Sequence, residues 1–346
     1  MKAVNTPSSV RGDSNSNLKM SAIVQTKYGA PDVLRLESVD RPVVPDDGVL
    51  VRVCATSVHA GDWHLMRGTP LLIRLIFGGL LQPKIKILGC DIAGRVEAVG
   101  KDVTQFNLGD EVFGELSESG FGAFAEYVCV PERALALKPS NLTFKAAATV
   151  PASALAALQG LRDAGQIESG QKVLINGAAS GVGSFAVQIA KAFGAEVTGI
   201  CSTSKIDMVR AIGADRVIDY TQTDVTKTGQ YYDLILDVAA YRSVFDYLPI
   251  LPPKGTYVLV GGSTARLFQV MFLAPLISKL TRRNVKCLGS KPDQDDLLCL
   301  KEMIEAGKIV PWIDECYNLS QVPIAISRLE QRQVRGKIAI DLLATR

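Results

Sequence analysis

From Ser21 to about Thr149, short runs rich in Val, Ile and Ala alternate with Gly, Pro and Asp, as in GVLVRVCATSV, AGRVEAVG, GDEVFGEL and AFAEYVCVP. Runs of this kind predict strands of an antiparallel, barrel-like domain, with Gly48, Gly94, Gly100, Gly109 and Gly122 at the turns. After about Phe144 the rhythm changes. AAATVPASALAALQGL predicts a helix, KVLING a strand, FAVQIAKAFG a helix, EVTGICS a strand and KIDMVRAIG a helix. DRVIDY, YDLILDVA and GTYVLVGG then read as strands. Their apolar residues run on instead of alternating, which predicts a parallel sheet covered on both faces. The C-terminal part, with WIDECYNLS and GKIAIDL, turns strand-like again and is expected to return to the first domain.

The expectation is therefore an α/β protein of two units. Residues 20–149 and 296–346 form the barrel-like unit, and residues 150–295 form a doubly wound unit. The polar, Ser- and Asn-rich start, residues 1–19, reads as a disordered tail; a targeting segment is the alternative, and it lacks the apolar core of a secretory signal.

Composition narrows the class. The 346 residues are 47% hydrophobic and 21% charged, enough to bury a sizeable core. A net charge of +3, without a dense Lys/Arg run, gives no footprint for nucleic acid. No stretch reaches the roughly 18 apolar residues of a membrane span. The seven cysteines include no C-x-x-C pair, which argues against a disulfide framework or a four-thiolate zinc site and for a cytoplasmic, reducing setting.

The strongest local motif is KVLINGAASGVGSFAVQIAKAFG. A strand ends at Asn176-Gly177, a tight small-residue loop follows, and a helix begins near Ser184. Backbone N–H groups at such a helix start face a pyrophosphate, and the helix dipole favours its charge. Ser180, Gly181, Val182 and Gly183 are the candidate contacts. Where an NAD site usually places a carboxylate, the chain has Cys201, Ser202, Thr203, Ser204 and Lys205. Hydroxyls and a cation suit a 2′-phosphate, so NADPH is expected, with Ser202 and Lys205 as its contacts. Tyr220, Asp237, Val238 and Gly261 complete the candidate cofactor-binding set.

SVHAGDWHLMRG, GCDIAGRVEAVG, LGDEVFG, GAFAEYV, AAATVP, NGAASGVGSFAVQIAK, GADRVIDY, YDLILDV and RGKIAIDL, in that order, resemble the medium-chain dehydrogenase/reductase superfamily, specifically its zinc-lacking quinone oxidoreductase branch. The resemblance spans nearly the whole chain from Met20. It implies a GroES-like catalytic domain, a Rossmann NADP-binding domain inserted before its C-terminal part, an active site in the cleft between them, and often a homodimer. Zinc-bearing members take ligands at the positions of His59 and of the triplet Gly89-Cys90-Asp91, and from a later Cys or acidic residue. His59, Cys90 and Asp91 can all bind zinc. AAATVPASALAALQGL, where the last ligand is expected, has no Cys, His, Asp or Glu. No metal is expected, and Cys90 is read as a small buried residue, with a reactive thiol near the cofactor as the alternative.

The metal-free branch often carries Asn-x-x-Asp where this chain has His59-Ala60-Gly61-Asp62. Asp62 matches, and His59 departs from the usual Asn while keeping a donor that could polarise a carbonyl or quinone oxygen. His59 and Asp62 are the catalytic candidates. His64 and Arg67 lie in the same loop, where an Asp62–Arg67 ion pair is the structural alternative. Ala156 stands where members commonly have Thr near the nicotinamide.

Two apolar stretches, residues 70–87 and 265–284, suit ordinary core or dimer packing, a wall for a bulky apolar substrate, or a peripheral membrane contact. The leading expectation is an NADPH-dependent, metal-independent reductase of quinones or α,β-unsaturated carbonyls. A zinc-dependent alcohol dehydrogenase with atypical ligands and a non-catalytic NADPH-binding protein are the alternatives.

Overall fold

The computed structural model describes residues 18–77 and 79–343. Most of the expected N-terminal tail lies outside these residues, and Lys19 already belongs to the first strand. Strands β1 (Lys19–Val24) and β2 (Arg35–Asp40) form an antiparallel ribbon with Ser21 opposite Ser38. The long β3 (Gly48–Val58) is buried almost throughout, and its Val- and Ala-rich run suits a strand covered on both faces. Helices α1 (Ala60–Arg67) and α2 (Leu71–Ile76) follow, then β4 (Asp91–Val99), β5 (Glu111–Glu115), β6 (Tyr127–Pro131) and β7 (Leu135–Leu137).

The next elements are α3 (Phe144–Ala147), α4 (Pro151–Gln159), β8 (Lys172–Asn176), α5 (Gly181–Ala192), β9 (Glu196–Cys201), α6 (Ile206–Ala211), β10 (Arg216–Asp219) and β11 (Leu234–Asp237). After them come α7 (Val244–Tyr247), β12 (Thr256–Leu259), α8 (Thr264–Thr281), β13 (Asn284–Cys287) and α9 (Gln294–Glu305). The chain closes with β14 (Ile313–Asn318), α10 (Val322–Glu330) and β15 (Lys337–Asp341).

Six strands form a parallel sheet in the order β10-β9-β8-β11-β12-β13. A second sheet runs β14-β15-β3-β4-β5-β7, with β6 paired to β3. The C-terminal return is direct: β15 lies antiparallel to β3, with Ile338 opposite Val58. One C-terminal segment, α10, is helical where a strand-like reading was expected. In α10 a Pro pre-organises the first turn, and Val322, Ala325 and Ile326 turn to the core at helical spacing.

One hydrophobic cluster joins the two sheets. Ala55, Ala93 and Phe113 of the barrel-like unit pack with Ala147, Leu155 and Leu158, and these in turn with Val173, Phe185 and Val258 of the parallel sheet. Helix α4 therefore sits at the junction of the units, with the turn after β8 nearby.

Candidate active site

His59 is the N-cap of α1, in an extended backbone conformation. Its Nδ1 accepts the Gly61 N–H at 2.9 Å, and its own N–H donates to Asp62 Oδ2 at 2.8 Å. The ring lies so close over Gly61 that a Cβ there would sit 2.4 Å from His59 Cε1. With Nδ1 accepting, the hydrogen of the neutral ring is on Nε2. That atom lies 2.7 Å from Cys90 Sγ and donates to it, while the thiol of Cys90 lies 4.0 Å from Asp91 Oδ1.

Glu115 is buried nearby, whereas the His59 side chain stays 22% exposed. Cys90 is fully buried; burial first, and then the Asp91 charge, push its thiol well up. Burial also raises the Glu115 and Asp62 carboxyls. Asp62 Oδ1 has no hydrogen-bond partner among the described residues and faces His59 Nε2 at 3.9 Å. Cys90 is the small buried residue expected from the sequence, and it also holds the histidine.

Asp91 belongs to a different network. Its Oδ1 accepts the Ala152 N–H at the start of α4, at 2.8 Å. Its Oδ2 accepts from Ser57 Oγ at 2.6 Å and from Lys337 Nζ at 3.2 Å, and Lys337 also donates to Ser153 Oγ at 3.1 Å. Asp91, Ser57, Ser153 and Lys337 are all buried. Three strands of one unit are thereby tied to the first turn of α4. The other residues of the first loop turn away: His64 stacks on Trp63 with Nδ1 2.8 Å from Thr69 O, and Arg67 pairs with Glu330 on α10. The Asp62–Arg67 pair, the structural alternative for this loop, does not form.

On the parallel sheet, Ser180 caps α5 by accepting the Gly183 N–H at 3.0 Å. Helix geometry leaves the N–H groups of Gly181 and Val182 facing outward for a ligand. Gly183 permits the turn: a Cβ there would lie 2.1 Å from Gly177 O. Gly181 is hemmed in from behind, since its Cβ would meet Lys337 Cδ at 2.9 Å. Lys337 therefore links the turn to the Asp91 network.

The remaining cofactor candidates gather around the strand ends. Val238 N–H donates to Asn176 O, and Gly261 lies against Val238 O. Asp237 is buried below them, accepting from Asn176 Nδ2 and Tyr257 Oη at 2.7 Å each, and burial pushes its carboxyl up to about 6. It shapes the strand ends from within. Ser202 and Lys205 stand at the end of β9, and Tyr220, whose N–H donates to Cys201 O, lies beside them. The nearby Asp219 carboxylate accepts from Thr203 and Thr221. Lys205 Nζ donates to Val334 O at 2.7 Å and Arg332 O at 3.3 Å, and desolvation lowers its pKa. Gly336 N–H donates to Ala179 O, so the 332–336 segment lies across this turn.

Lys337, Glu115 and the 332–336 segment were not singled out in the sequence. A lysine directly before the apolar run IAI of RGKIAIDL was a signal for the first. A surface recess of about 890 Å³ is lined by Gln159, Arg162, Lys286, Cys287 and Asp296, and by none of the candidates. Its charges pair with one another, as Arg162 does with Asp163 and Asp296.

Residues 45–140 match the family described as alcohol dehydrogenase GroES-like domain, and residues 212–340 match the one described as zinc-binding dehydrogenase. The chain is 32% identical over 333 residues to the 2-methylene-furan-3-one reductase of Solanum lycopersicum, covering 93% of this chain and 79% of that protein. It is 32% identical to the chloroplastic NADPH-dependent alkenal/one oxidoreductase of Arabidopsis thaliana, covering 96% and 82%. The quinone oxidoreductase structure from Coxiella burnetii superposes with a TM-score of 0.81 at 28% identity, covering 94% of this chain and all of that one.

Zinc, which one of these family descriptions names, does not fit the donors present. His59 Nδ1 is taken by the Gly61 N–H, and both Asp91 oxygens are hydrogen-bonded within the protein. Among the described residues no three His, Cys, Asp or Glu side chains are grouped to hold a metal. A dinucleotide does fit, because the turn at Gly181–Gly183 is a cradle that a Cβ would fill.

Proposed function

The chain belongs to the medium-chain dehydrogenase/reductase superfamily, in its quinone oxidoreductase-like branch, and from this premise we propose an NADPH-dependent reductase of quinones or α,β-unsaturated carbonyls. The observation that carries the reading is the pairing of two features: a capped helix start with two outward N–H groups, and a histidine N–H held at the junction of the units.

When bound, NADPH supplies the hydride. The protein's part is to hold and orient. Gly181 and Val182 N–H groups would hold the pyrophosphate, and Ser202 and Lys205 the 2′-phosphate. His59 Nε2–H, held in place by the Gly61 N–H on the opposite nitrogen, is given up by Cys90 to a substrate oxygen brought beside it as negative charge develops there, and Asp62 fixes the His59 backbone through the cap. Asp91 and Lys337 fix the junction on which both halves depend.

The domain division at 20–149 with 296–346, and 150–295, belongs to the same reading. It is supported by the six parallel strands falling within 150–295 and by β14 and β15 joining the other sheet. A homodimer paired along the free edge of β13 is consistent with that strand's terminal place in its sheet. Seven free cysteines suit a reducing compartment, the cytoplasm in this proposal. Among the described residues no helix is long and apolar enough to cross a membrane.

The test is consumption of NADPH and NADH over a panel of quinones, enals and enones, with and without a chelator. NADPH-preferring, chelator-insensitive turnover is expected. Absence of turnover across the panel, or its loss on chelation, overturns the proposal.

A further inference from the structure

Helix α8 carries apolar residues on every side. The inner side is used by the fold: Val270 and Ile277 are buried, and Leu267, Leu273 and Ala274 pack against the cluster containing Tyr247, Tyr257 and Leu259. The outer side repeats the same residue type four apart, at Phe268, Phe272, Leu276 and Leu280. Phe272, Leu276 and Leu280 are 71%, 56% and 73% exposed. The Phe268 and Phe272 rings stack at 6.0 Å, so the stripe is continuous. A helix on the surface of a globular unit needs an apolar stripe only toward its core. The outer one has no partner among the described residues.

The charges around the stripe identify its occupant. Residues 264–286 contain no Asp or Glu and five cations: Arg266, Lys279, Arg282, Arg283 and Lys286. Arg266, Arg283 and Lys286 donate to the carbonyls of Tyr241, Leu251 and Ala164. Lys279 and Arg282 are exposed and make no ion pair among the described residues, and Lys254, whose N–H donates to Arg282 O, stands beside them equally free. An isologous contact between two copies would set these cations near their own images, with no carboxylate on the helix to pair with them. An anionic bilayer answers both features: its acyl boundary takes the apolar stripe, and its headgroups take the cations.

We propose that α8 is a peripheral membrane-docking helix that lays Phe272, Leu276 and Leu280 into the surface of an anionic bilayer, with Lys254, Lys279 and Arg282 on the headgroups. The proposal is independent of the reductase reading. It is tested by co-sedimenting the purified full chain with phosphatidylcholine vesicles, and with vesicles of phosphatidylcholine and phosphatidylglycerol mixed two to one. The wild type sediments with the mixed vesicles at low salt and roughly tenfold less with phosphatidylcholine alone. The variant F272S/L276S/L280S loses binding to both, and K279E/R282E loses the anionic preference. Unchanged circular dichroism in both variants confirms that each is folded. A wild type that binds neither vesicle, or an apolar variant that still binds the mixed vesicles while its solution mass falls by light scattering, overturns the proposal; the latter would make the stripe a contact between copies.

Discussion

His59 Nε2 sits 2.7 Å from Cys90 Sγ, and the opposite ring nitrogen is fixed by the Gly61 N–H. The ring thus has one tautomer and one orientation, with its N–H parked on a sulfur. A thiol is a weak acceptor, so a developing oxyanion outcompetes it for that hydrogen.

His59→Ala is expected to lower kcat/KM for an enone or quinone about 100-fold, the cost of removing one well-placed oxyanion donor. His59→Asn should keep most of the activity, because an amide also caps the helix and donates. Cys90→Ser should be mild and Cys90→Ala worse, since only serine retains an acceptor for the ring. Steady-state kinetics on the four variants decide it. Equal rates for wild type and His59→Ala would remove the histidine from the mechanism.

Lys337 and Asp91 form an ion pair that is essentially out of contact with solvent. Lys337→Met leaves a buried carboxylate with only neutral donors, a loss of roughly 3–5 kcal/mol. Asp91→Asn in the same chain should recover part of that loss, because the uncompensated charge goes with it. Urea unfolding of the two single variants and the double variant gives the coupling. Additive losses would mean that the pair has no direct interaction.

How much of this was legible in the sequence follows from the range of each interaction. The turn from Asn176 to Ser184 could be read because strand, small loop and helix start are contiguous and each obeys a local rule. The capping relation of His59 and Asp62 lies within one helical turn, but histidine is not among the usual N-cap residues, so the stretch reads as a loop. The Lys337–Asp91 pair spans 246 positions and forms only once β15 has come to lie beside β3. No local pattern marks such a partner beyond the oddity of a lysine in an apolar strand. The helical character of α10 was hidden for another reason, as its short apolar segment fits helix and strand periods alike.

Asp237 makes stability depend on pH in a definite direction. An unfolded Asp titrates near 4, whereas burial raises this carboxyl to about 6. The folded chain therefore binds a proton that the unfolded chain releases between those values. The group's stabilising contribution is fully present below about pH 4 and is lost as pH rises through about 6, on the order of 3 kcal/mol in all. Asp62 and Glu115, also raised by burial, act in the same sense. Asp237→Asn should flatten the fall in urea midpoint across this window without abolishing it. Identical pH slopes for wild type and variant would show that Asp237 does not carry the effect.

Lys205 provides the sharpest separation of roles. In this structure its ammonium bridges Val334 O and Arg332 O, which joins the end of β9 to the segment lying over the dinucleotide turn. Carbonyls are neutral acceptors, whereas a 2′-phosphate carries close to two negative charges, so the phosphate is the better partner for a half-buried cation. Lys205→Ala should then raise the KM for NADPH about tenfold or more, the worth of one charge-assisted hydrogen bond, and leave the KM for NADH nearly unchanged. Ser202→Asp should go further and reverse the preference, because its carboxylate repels the phosphate and can accept from a ribose 2′-hydroxyl. The two roles of Lys205 predict different kinetics. A latch alone would weaken both cofactors equally when it is removed, since the 332–336 segment would loosen over the turn that both share. A phosphate contact weakens only NADPH. Parallel KM measurements with the two cofactors on Lys205→Ala and Lys205→Arg distinguish them, and an equal loss for both would assign Lys205 to holding the segment and leave the 2′-phosphate without its expected cation.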